Sequence, residues 1–199
     1  GHDQVSQMTD RIKKLVLDIL YYTKTRKMEW QAVPVADFIK DTLAIVSSRA
    51  ERNQVIIDHN LHKIPTDLAF DVDENSLQSA LVNFLENGID ACVDGPEDKK
   101  KRLRFFVRVD PEKVLFTIQD NGRGMDAATV KNIFTIFFSS KGSKGTGLGL
   151  YIANKVVAQH RGSIKVKSEP GRGSKFLIKI PRKMPRTARN TRGMEQIQA

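Results

Sequence analysis

The amino-acid sequence predicts an α+β fold, a two-layer sandwich in which a mixed, mostly antiparallel sheet carries helices on one face. Segments with helical periodicity are interspersed with short apolar strands, and the last four strands come in two hairpins. The chain has 199 residues, of which 40% are hydrophobic and 28% charged. This length and composition suffice for one packed domain and an accessory element.

The first 28 residues predict one long helix. Their apolar residues recur at spacings of three and four, which is the seam of a helix that packs against a partner helix. The alternative is a helix that packs on its own domain. Gly1 and His2 are interpreted as the remnant of an expression tag. The seam residues are Val5, Met8, Ile12, Leu15, Ile19 and Tyr22.

Residues 29–182 hold the elements of the predicted domain, and Asp73 is the expected N-cap of its second helix. Turn sequences such as Asp94-Gly95-Pro96 separate the elements. The predicted helices cover residues 35–52, 74–92, 127–133 and 148–160. The predicted strands cover residues 55–58, 68–72, 103–109, 114–119, 164–166 and 176–180.

Charge and cysteine content narrow the class of protein. The net charge of +10 suits nucleic acid, an acidic membrane surface or a polyphosphate ligand. No motif of a nucleic-acid-binding module occurs, so we expect no nucleic-acid partner. The tail, residues 183–199, is basic and without periodicity, and it is expected to be disordered.

The single cysteine, Cys92, excludes a disulfide framework within the chain, which favours a cytoplasmic location.

Three polar side chains share one face of the helix predicted over residues 74–92. Asn83, Asn87 and Asp90 follow one another at spacings of four and three. Amide and carboxylate oxygens are ligands that Mg²⁺ accepts. Taken alone, a solvated polar face is the simpler explanation of the pattern.

Two further segments suit a nucleotide. Asp120 follows an apolar strand, where its carboxylate could accept a hydrogen bond from an exocyclic amine. By itself, an Asp-Asn-Gly turn explains this segment equally well. Residues 142–149 are rich in glycine and lead into a predicted helix, whose N-terminal N–H groups would attract an anion. The spacing fits neither the P-loop nor the dinucleotide fingerprint.

These segments, taken in order, resemble the ATPase superfamily of histidine kinases, gyrase-type topoisomerases, MutL proteins and Hsp90 chaperones. Residues 83–91 resemble the N box, residues 120–124 the first glycine box, residues 134–138 the F box and residues 145–150 the second glycine box. The resemblance covers residues 30–181. It implies a Bergerat-type ATP-binding fold preceded by one helix of a dimerisation hairpin.

The resemblance also implies roles for individual residues. Asn87, with Asn83 beside it, would hold Mg²⁺, and Asp90 is a weaker candidate at the same site. Asp120 would bind the adenine amine, and Ser174 would contact adenine. Catalytic roles fall to Asn83, Asn87 and Lys141. The other nucleotide-binding candidates are Gly122, Gly124, Met125, Phe138, Lys141, Gly145, Thr146, Gly147, Leu148, Gly149 and Leu150.

Asn83 distinguishes between branches of the superfamily. The gyrase, MutL and Hsp90 branches carry at this position a glutamate that activates water, and an amide cannot act as a general base. The resemblance therefore implies phosphoryl transfer to a protein rather than hydrolysis. The alternatives are a nucleotide-binding regulatory pseudokinase and a serine kinase of the anti-sigma-factor type.

No histidine in the sequence suits the role of phosphoacceptor. The seam of residues 1–28 resembles the second helix of the dimerisation hairpin, and His2 lies too close before it to leave room for a first helix. His59, His62 and His160 lie within the catalytic region. We therefore expect the chain to bind ATP and Mg²⁺ without phosphorylating itself. The implied partners are a phosphoacceptor hairpin, the receiver domain of a response regulator and, in the parent protein, a second copy of the chain. The parent protein could be anchored in the inner membrane.

Overall fold

The computed structural model describes residues 27–139 and 146–183. The helices are α1 (Val35–Arg52), α2 (Glu74–Val93), α3 (Ala127–Asn132) and α4 (Gly149–Gln159), and a short 3-10 helix spans Leu61–Lys63. The strands are β1 (Trp30–Pro34), β2 (Ile56–His59), β3 (Ala69–Asp73), β4 (Arg102–Val109), β5 (Lys113–Asp120), β6 (Ser163–Glu169) and β7 (Gly173–Pro181). In this part of the chain, no helix combines the length and apolar character needed to cross a membrane.

The main sheet has five strands in the order β2-β4-β5-β7-β6, and a separate antiparallel pair joins β1 to β3. Strand β2 runs parallel to β4, and the other neighbours run antiparallel. Side chains of β4 alternate between exposed and buried, because helices cover only one face of the sheet. Helix α2 packs against β4, β5 and β7, with α1 and α4 on either side of it. The predicted fold class is confirmed.

A cluster of aromatic side chains joins the two layers. Phe38 of α1 meets Phe70 of β3 edge to face with ring centroids 5.3 Å apart. Phe116 of β5 stacks on Phe105 of β4 at 6.3 Å. All four side chains are fully buried, so burial of these rings stabilises the contact between sheet and helices.

Some strands of the structure differ from the predicted ones in their bounds, and one strand was not predicted. Strand β1 was not predicted, because only its Val33 is buried and its last residue is Pro34. Strands β6 and β7 extend beyond their predicted spans, since their added residues include lysines and serines that tolerate the solvent side of the sheet. Asp73 caps α2 as predicted, accepting a hydrogen bond of 3.0 Å from the Ser76 N–H. The predicted N-terminal helix and most of the tail lie outside the described residues.

His160 fastens the end of α4 to the start of α2. Its Nε2 accepts a hydrogen bond from the Asp73 N–H at 3.1 Å, and its Nδ1 lies 2.8 Å from the Val156 carbonyl oxygen. The ring also meets Trp30 of β1 edge to face. This geometry requires a neutral ring with the proton on Nδ1, since a proton on Nε2 would oppose the Asp73 N–H.

We expect the fold to lose stability below neutral pH through His160. Burial lowers the pKa of His160 in the folded protein, so the unfolded chain takes up this proton first as the pH falls. The free energy of unfolding should therefore decrease as the pH falls from 7.5 to 5.5, by at most about 1.4 kcal/mol per pH unit for one proton. Urea unfolding of the wild type and His160→Gln measures the difference; equal pH slopes would contradict the assignment.

Candidate functional site

One cavity of about 240 Å³ lies among α2, the loop after β5, the start of α4 and the start of β7. Segments far apart in the sequence contribute to its lining, which places the N box, both glycine boxes and the F box at the same cavity. The predicted site residues that line it are Asn83, Asn87, Asp90, Asp120, Gly124, Met125, Phe138, Thr146, Gly147, Gly149, Leu150 and Ser174.

Two predicted site residues among the described ones, Leu148 and Gly122, are not part of this lining. Leu148 is 2% exposed and packs into the hydrophobic core at the start of α4. Gly122 packs on the backbone of α2, where a Cβ atom would lie 2.0 Å from the Ala91 carbonyl oxygen. Lys141 and Gly145 lie outside the described residues.

Asp120 is the most buried charged side chain of the cavity, with 4% exposure. Its Oδ1 accepts hydrogen bonds from the backbone N–H of Gly122 at 3.0 Å and from that of Ser174 at 3.1 Å. Burial raises the pKa of Asp120, and these hydrogen bonds oppose the rise. Two main-chain donors thus fix the orientation of the carboxylate through a single oxygen, so Oδ2 is the oxygen that can meet a ligand.

A pair of serines supports this side of the cavity. The hydroxyl groups of Ser168 and Ser174 lie 3.0 Å apart. Ser168 also accepts a hydrogen bond from the Met125 N–H at 2.9 Å and donates one to the Gly173 carbonyl oxygen at 2.9 Å. Ser168 was not predicted, because its role depends on the β6–β7 pairing, which brings it opposite Ser174.

The two asparagines of α2 have fixed amide orientations. Asn83 donates to the Ser79 carbonyl oxygen at 3.1 Å, and Asn87 donates to the Asn83 carbonyl oxygen at 2.7 Å. Each Nδ2 is directed back along its own helix, so each amide presents Oδ1 away from that contact. Gly149 abuts Asn83, since a Cβ atom there would lie 2.8 Å from the Asn83 Oδ1. The start of α4 therefore lies next to the amides.

Helix α1 contributes a cation that the sequence did not single out. Arg49 lines the cavity, and its Nη2 lies 2.6 Å from Oδ1 of Asp90. Its Nη1 lies 3.3 Å from Oε1 of Glu86. The carboxylate of Asp90, predicted as a weak nucleotide or metal ligand, is thus held by an ion pair. The other lining residues that were not predicted are Glu86, Gly88, Ala91, Arg123, Ile133, Ser139 and Phe176.

Gly124 is held in the left-handed region, with φ of +67°, and a Cβ atom there would lie 1.9 Å from the Glu169 carbonyl oxygen. We expect Gly124→Ala to destabilise the fold strongly, because both the backbone angle and the contact oppose a side chain. Gly171 is the matched control, since its φ is +73° and nothing lies within 4 Å of the added atom.

Gly171→Ala should cost about 1–2 kcal/mol of unfolding free energy, the penalty of the angle alone. Gly124→Ala should cost several kcal/mol, roughly 3 or more, once the contact with Glu169 is added. Chemical denaturation of both variants measures the two costs. Equal costs would show that the Glu169 contact does not constrain Gly124.

Comparison with known proteins gives one matching family profile. Residues 72–184 match the family described as "Histidine kinase-, DNA gyrase B-, and HSP90-like ATPase". Among curated relatives, the signal transduction histidine-protein kinase AtoS of Escherichia coli (strain K12) is 31% identical over 86% of this chain. The match covers 27% of AtoS, so the chain spans about a quarter of that relative.

Solved structures show the same fold. Full-length ShkA in complex with AMPPNP has a TM-score of 0.72 and 23% identity, over 86% of this chain and 36% of that one. The histidine kinase ThkA in complex with the response regulator protein TrrA has a TM-score of 0.73 and 20% identity, over 90% of this chain and 50% of that one. At these identities, the likeness concerns the fold.

Proposed function

The chain belongs to the histidine kinase-, DNA gyrase B- and HSP90-like ATPase family, and we propose that it transfers the γ-phosphoryl group of ATP to a histidine of a phosphoacceptor hairpin. Residues 29–182 would form the catalytic domain of a sensor histidine kinase. The observation that carries the proposal is Asp120, a buried carboxylate that two backbone N–H groups fix at the wall of the cavity.

Asp120 would recognise adenine through its Oδ2, which would accept a hydrogen bond from the exocyclic amine. The hydroxyl of Ser174 lines the same part of the cavity and is held near Ser168. Gly124, Met125 and Phe138 supply uncharged surface on which a flat base can pack. This combination of one fixed acceptor and apolar walls is typical of a purine pocket.

Asn87, with Asn83 beside it, would hold Mg²⁺ through amide oxygens. No group of three or more His, Cys, Asp or Glu side chains within residues 27–139 and 146–183 could hold a metal ion. The ion would therefore depend on phosphate oxygens and water for its other ligands, as Mg²⁺ commonly does. When bound, it would offset the negative charge of the phosphates.

The start of α4 would receive the phosphate chain. Leu148, the N-cap of α4, makes no side-chain capping hydrogen bond, so the first N–H groups of this helix remain suited to an anion. Thr146, Gly147 and Gly149 line the cavity there. Lys141 and Gly145, which the resemblance assigns to the nucleotide, would complete the phosphate contacts.

Transfer to a protein, rather than to water, is the outcome that Asn83 favours. Asn83 lines the cavity and cannot take a proton from water. Within the described part of the chain, no histidine lines the cavity, and both ring nitrogens of His160 are occupied by backbone contacts. The accepting histidine would therefore come from a hairpin outside these elements.

We further propose a receiver domain as the downstream partner, since the solved ThkA structure contains the response regulator protein TrrA. A homodimeric parent protein, whose dimerisation hairpin would include the helix predicted over residues 1–28, is part of the same proposal.

Calorimetry with a non-hydrolysable ATP analogue tests the site. We expect one analogue to bind per chain in the presence of Mg²⁺, and chelation of Mg²⁺ should weaken binding. Absence of binding at millimolar analogue would remove the proposed function.

A further inference from the structure

The lining of the cavity has more acidic than basic side chains, although its proposed ligand is negatively charged. Among the described residues, its lining includes the carboxylates of Glu86, Asp90 and Asp120 but only two cationic side chains, Arg49 and Arg123. The phosphate chain of ATP adds several negative charges, of which one Mg²⁺ offsets two. Arg123 belongs to the loop that follows Asp120, the proposed adenine ligand, and its backbone N–H donates to the Ala91 carbonyl oxygen of α2 at 3.0 Å. Arg49 comes instead from α1.

The position of Arg49 is set by two carboxylates on α2. Asp90 and Glu86 are four residues apart, and Asn87 lies between them on the same helix. Both carboxylates bind terminal nitrogens of the Arg49 guanidinium, at 2.6 Å and 3.3 Å. A guanidinium has five N–H donors in a planar fork, so two such contacts leave donors for a further acceptor.

These ion pairs contribute little to stability. The side chains of Arg49, Glu86 and Asp90 are 37%, 27% and 31% exposed, which leaves the pairs screened by water. The pairs instead orient the long side chain of Arg49, because they hold it at the wall of a cavity that is built mainly from elements other than α1. A fixed guanidinium is well suited to bind phosphate oxygens.

We propose that Arg49 binds the phosphate chain of ATP, with Glu86 and Asp90 as its positioning residues. This inference rests on the proposed function. It gives Asp90 a role through Arg49 rather than as a ligand of Mg²⁺, and it adds α1 to the elements that recognise the nucleotide.

Nucleotide affinities of the full chain and its variants test this assignment. Calorimetry measures ATP with Mg²⁺, and an NMR titration measures adenosine, which lacks phosphate. Arg49→Ala should weaken ATP binding about 10- to 100-fold and leave adenosine binding unchanged. Arg49→Lys should fall between, because an ammonium keeps the charge but cannot bridge both carboxylates.

Arg52→Ala is the matched control. Arg52 is on the same helix, is exposed and hydrogen-bonds the Ser48 carbonyl oxygen, so its removal deletes one positive charge outside the cavity. ATP affinity should stay within about 2-fold of the wild type, since exposed charges are screened by salt. The midpoint of thermal unfolding of Arg49→Ala should fall by no more than about 4 °C.

The outcomes separate the inference from the proposed function. A selective loss of ATP affinity in Arg49→Ala supports the assignment. Unchanged ATP affinity, or equal losses for ATP and adenosine, overturns it while the proposed function stands. A wild-type chain that binds neither ligand overturns both.

Discussion

Asp120→Asn should lose ATP affinity while its fold keeps or gains stability. The amide oxygen can still accept the N–H groups of Gly122 and Ser174, which now meet the Asp120 Oδ1. The amide nitrogen would replace Oδ2 and would oppose the adenine amine, since both are donors. We expect ATP to bind roughly 10- to 150-fold more weakly, the usual loss for one hydrogen bond to a charged group.

The stability of this variant follows from the pKa of Asp120. Burial raises that pKa, so the unfolded chain ionises Asp120 at a lower pH than the folded protein does. Between and above these two pKa values, the charge therefore opposes folding, and an uncharged Asn removes this opposition. Calorimetry and thermal unfolding at pH 7 measure both effects. A variant with wild-type ATP affinity would remove Asp120 from the adenine site.

The pH dependence of ATP affinity tests the role of Asp120 as a charged acceptor in a second way. A protonated carboxyl no longer offers a charged acceptor, so the affinity of the wild type should fall as the pH decreases through the raised pKa of Asp120. Asp120→Asn has no such group and should show a flatter profile over the same range.

Asn87→Ala should remove the dependence of nucleotide affinity on Mg²⁺ and lower the rate of phosphoryl transfer about 10²- to 10³-fold. The magnitude is that of losing one fixed group that stabilises transition-state charge. Alanine is the stronger helix former, which partly offsets the lost hydrogen bond to the Asn83 carbonyl oxygen. Calorimetry with and without Mg²⁺, followed by single-turnover kinetics, measures both losses.

Asn132→Ala is the control for this variant. The amide of Asn132 donates to the Ala128 carbonyl oxygen at 3.0 Å, the same four-residue contact that Asn87 makes, but it is exposed on α3 and does not line the cavity. Its Mg²⁺ dependence should match that of the wild type. If Asn87→Ala kept this dependence too, the metal would have to be assigned elsewhere.

The sequence predicted those parts of the fold that depend on local chemistry. The N-cap Asp73, the alternating strand β4 and the apolar strand β5 are set by neighbours in the chain, and the structure has them at or near their predicted bounds. Strand β1 was not predicted because its pairing with β3 depends on residues about 40 positions away. Its own five residues, Trp30–Pro34, contain too few apolar side chains in alternation to indicate a strand.

The residues of the candidate site likewise fall into two groups, those that sequence motifs identified and those that only the packing of the elements reveals. Asn87 and Asp120 belong to motifs that could be recognised from spacing, and both line the cavity. Arg49 and Ser168 carry no motif, because their roles arise from the packing of α1 on α2 and the pairing of β6 with β7. Gly122 was expected to line the base pocket, whereas the structure has it packed on the backbone of α2.

Transfer of labelled phosphate from ATP to a separate protein that carries a phosphoacceptor hairpin tests the central claim most directly. The wild-type chain with Mg²⁺ should place an acid-labile label on the histidine of the hairpin, and Asp120→Asn should place far less at the same ATP concentration. No label should appear on the chain itself. Release of free phosphate without any label on the hairpin, by a chain that binds ATP, would contradict the account.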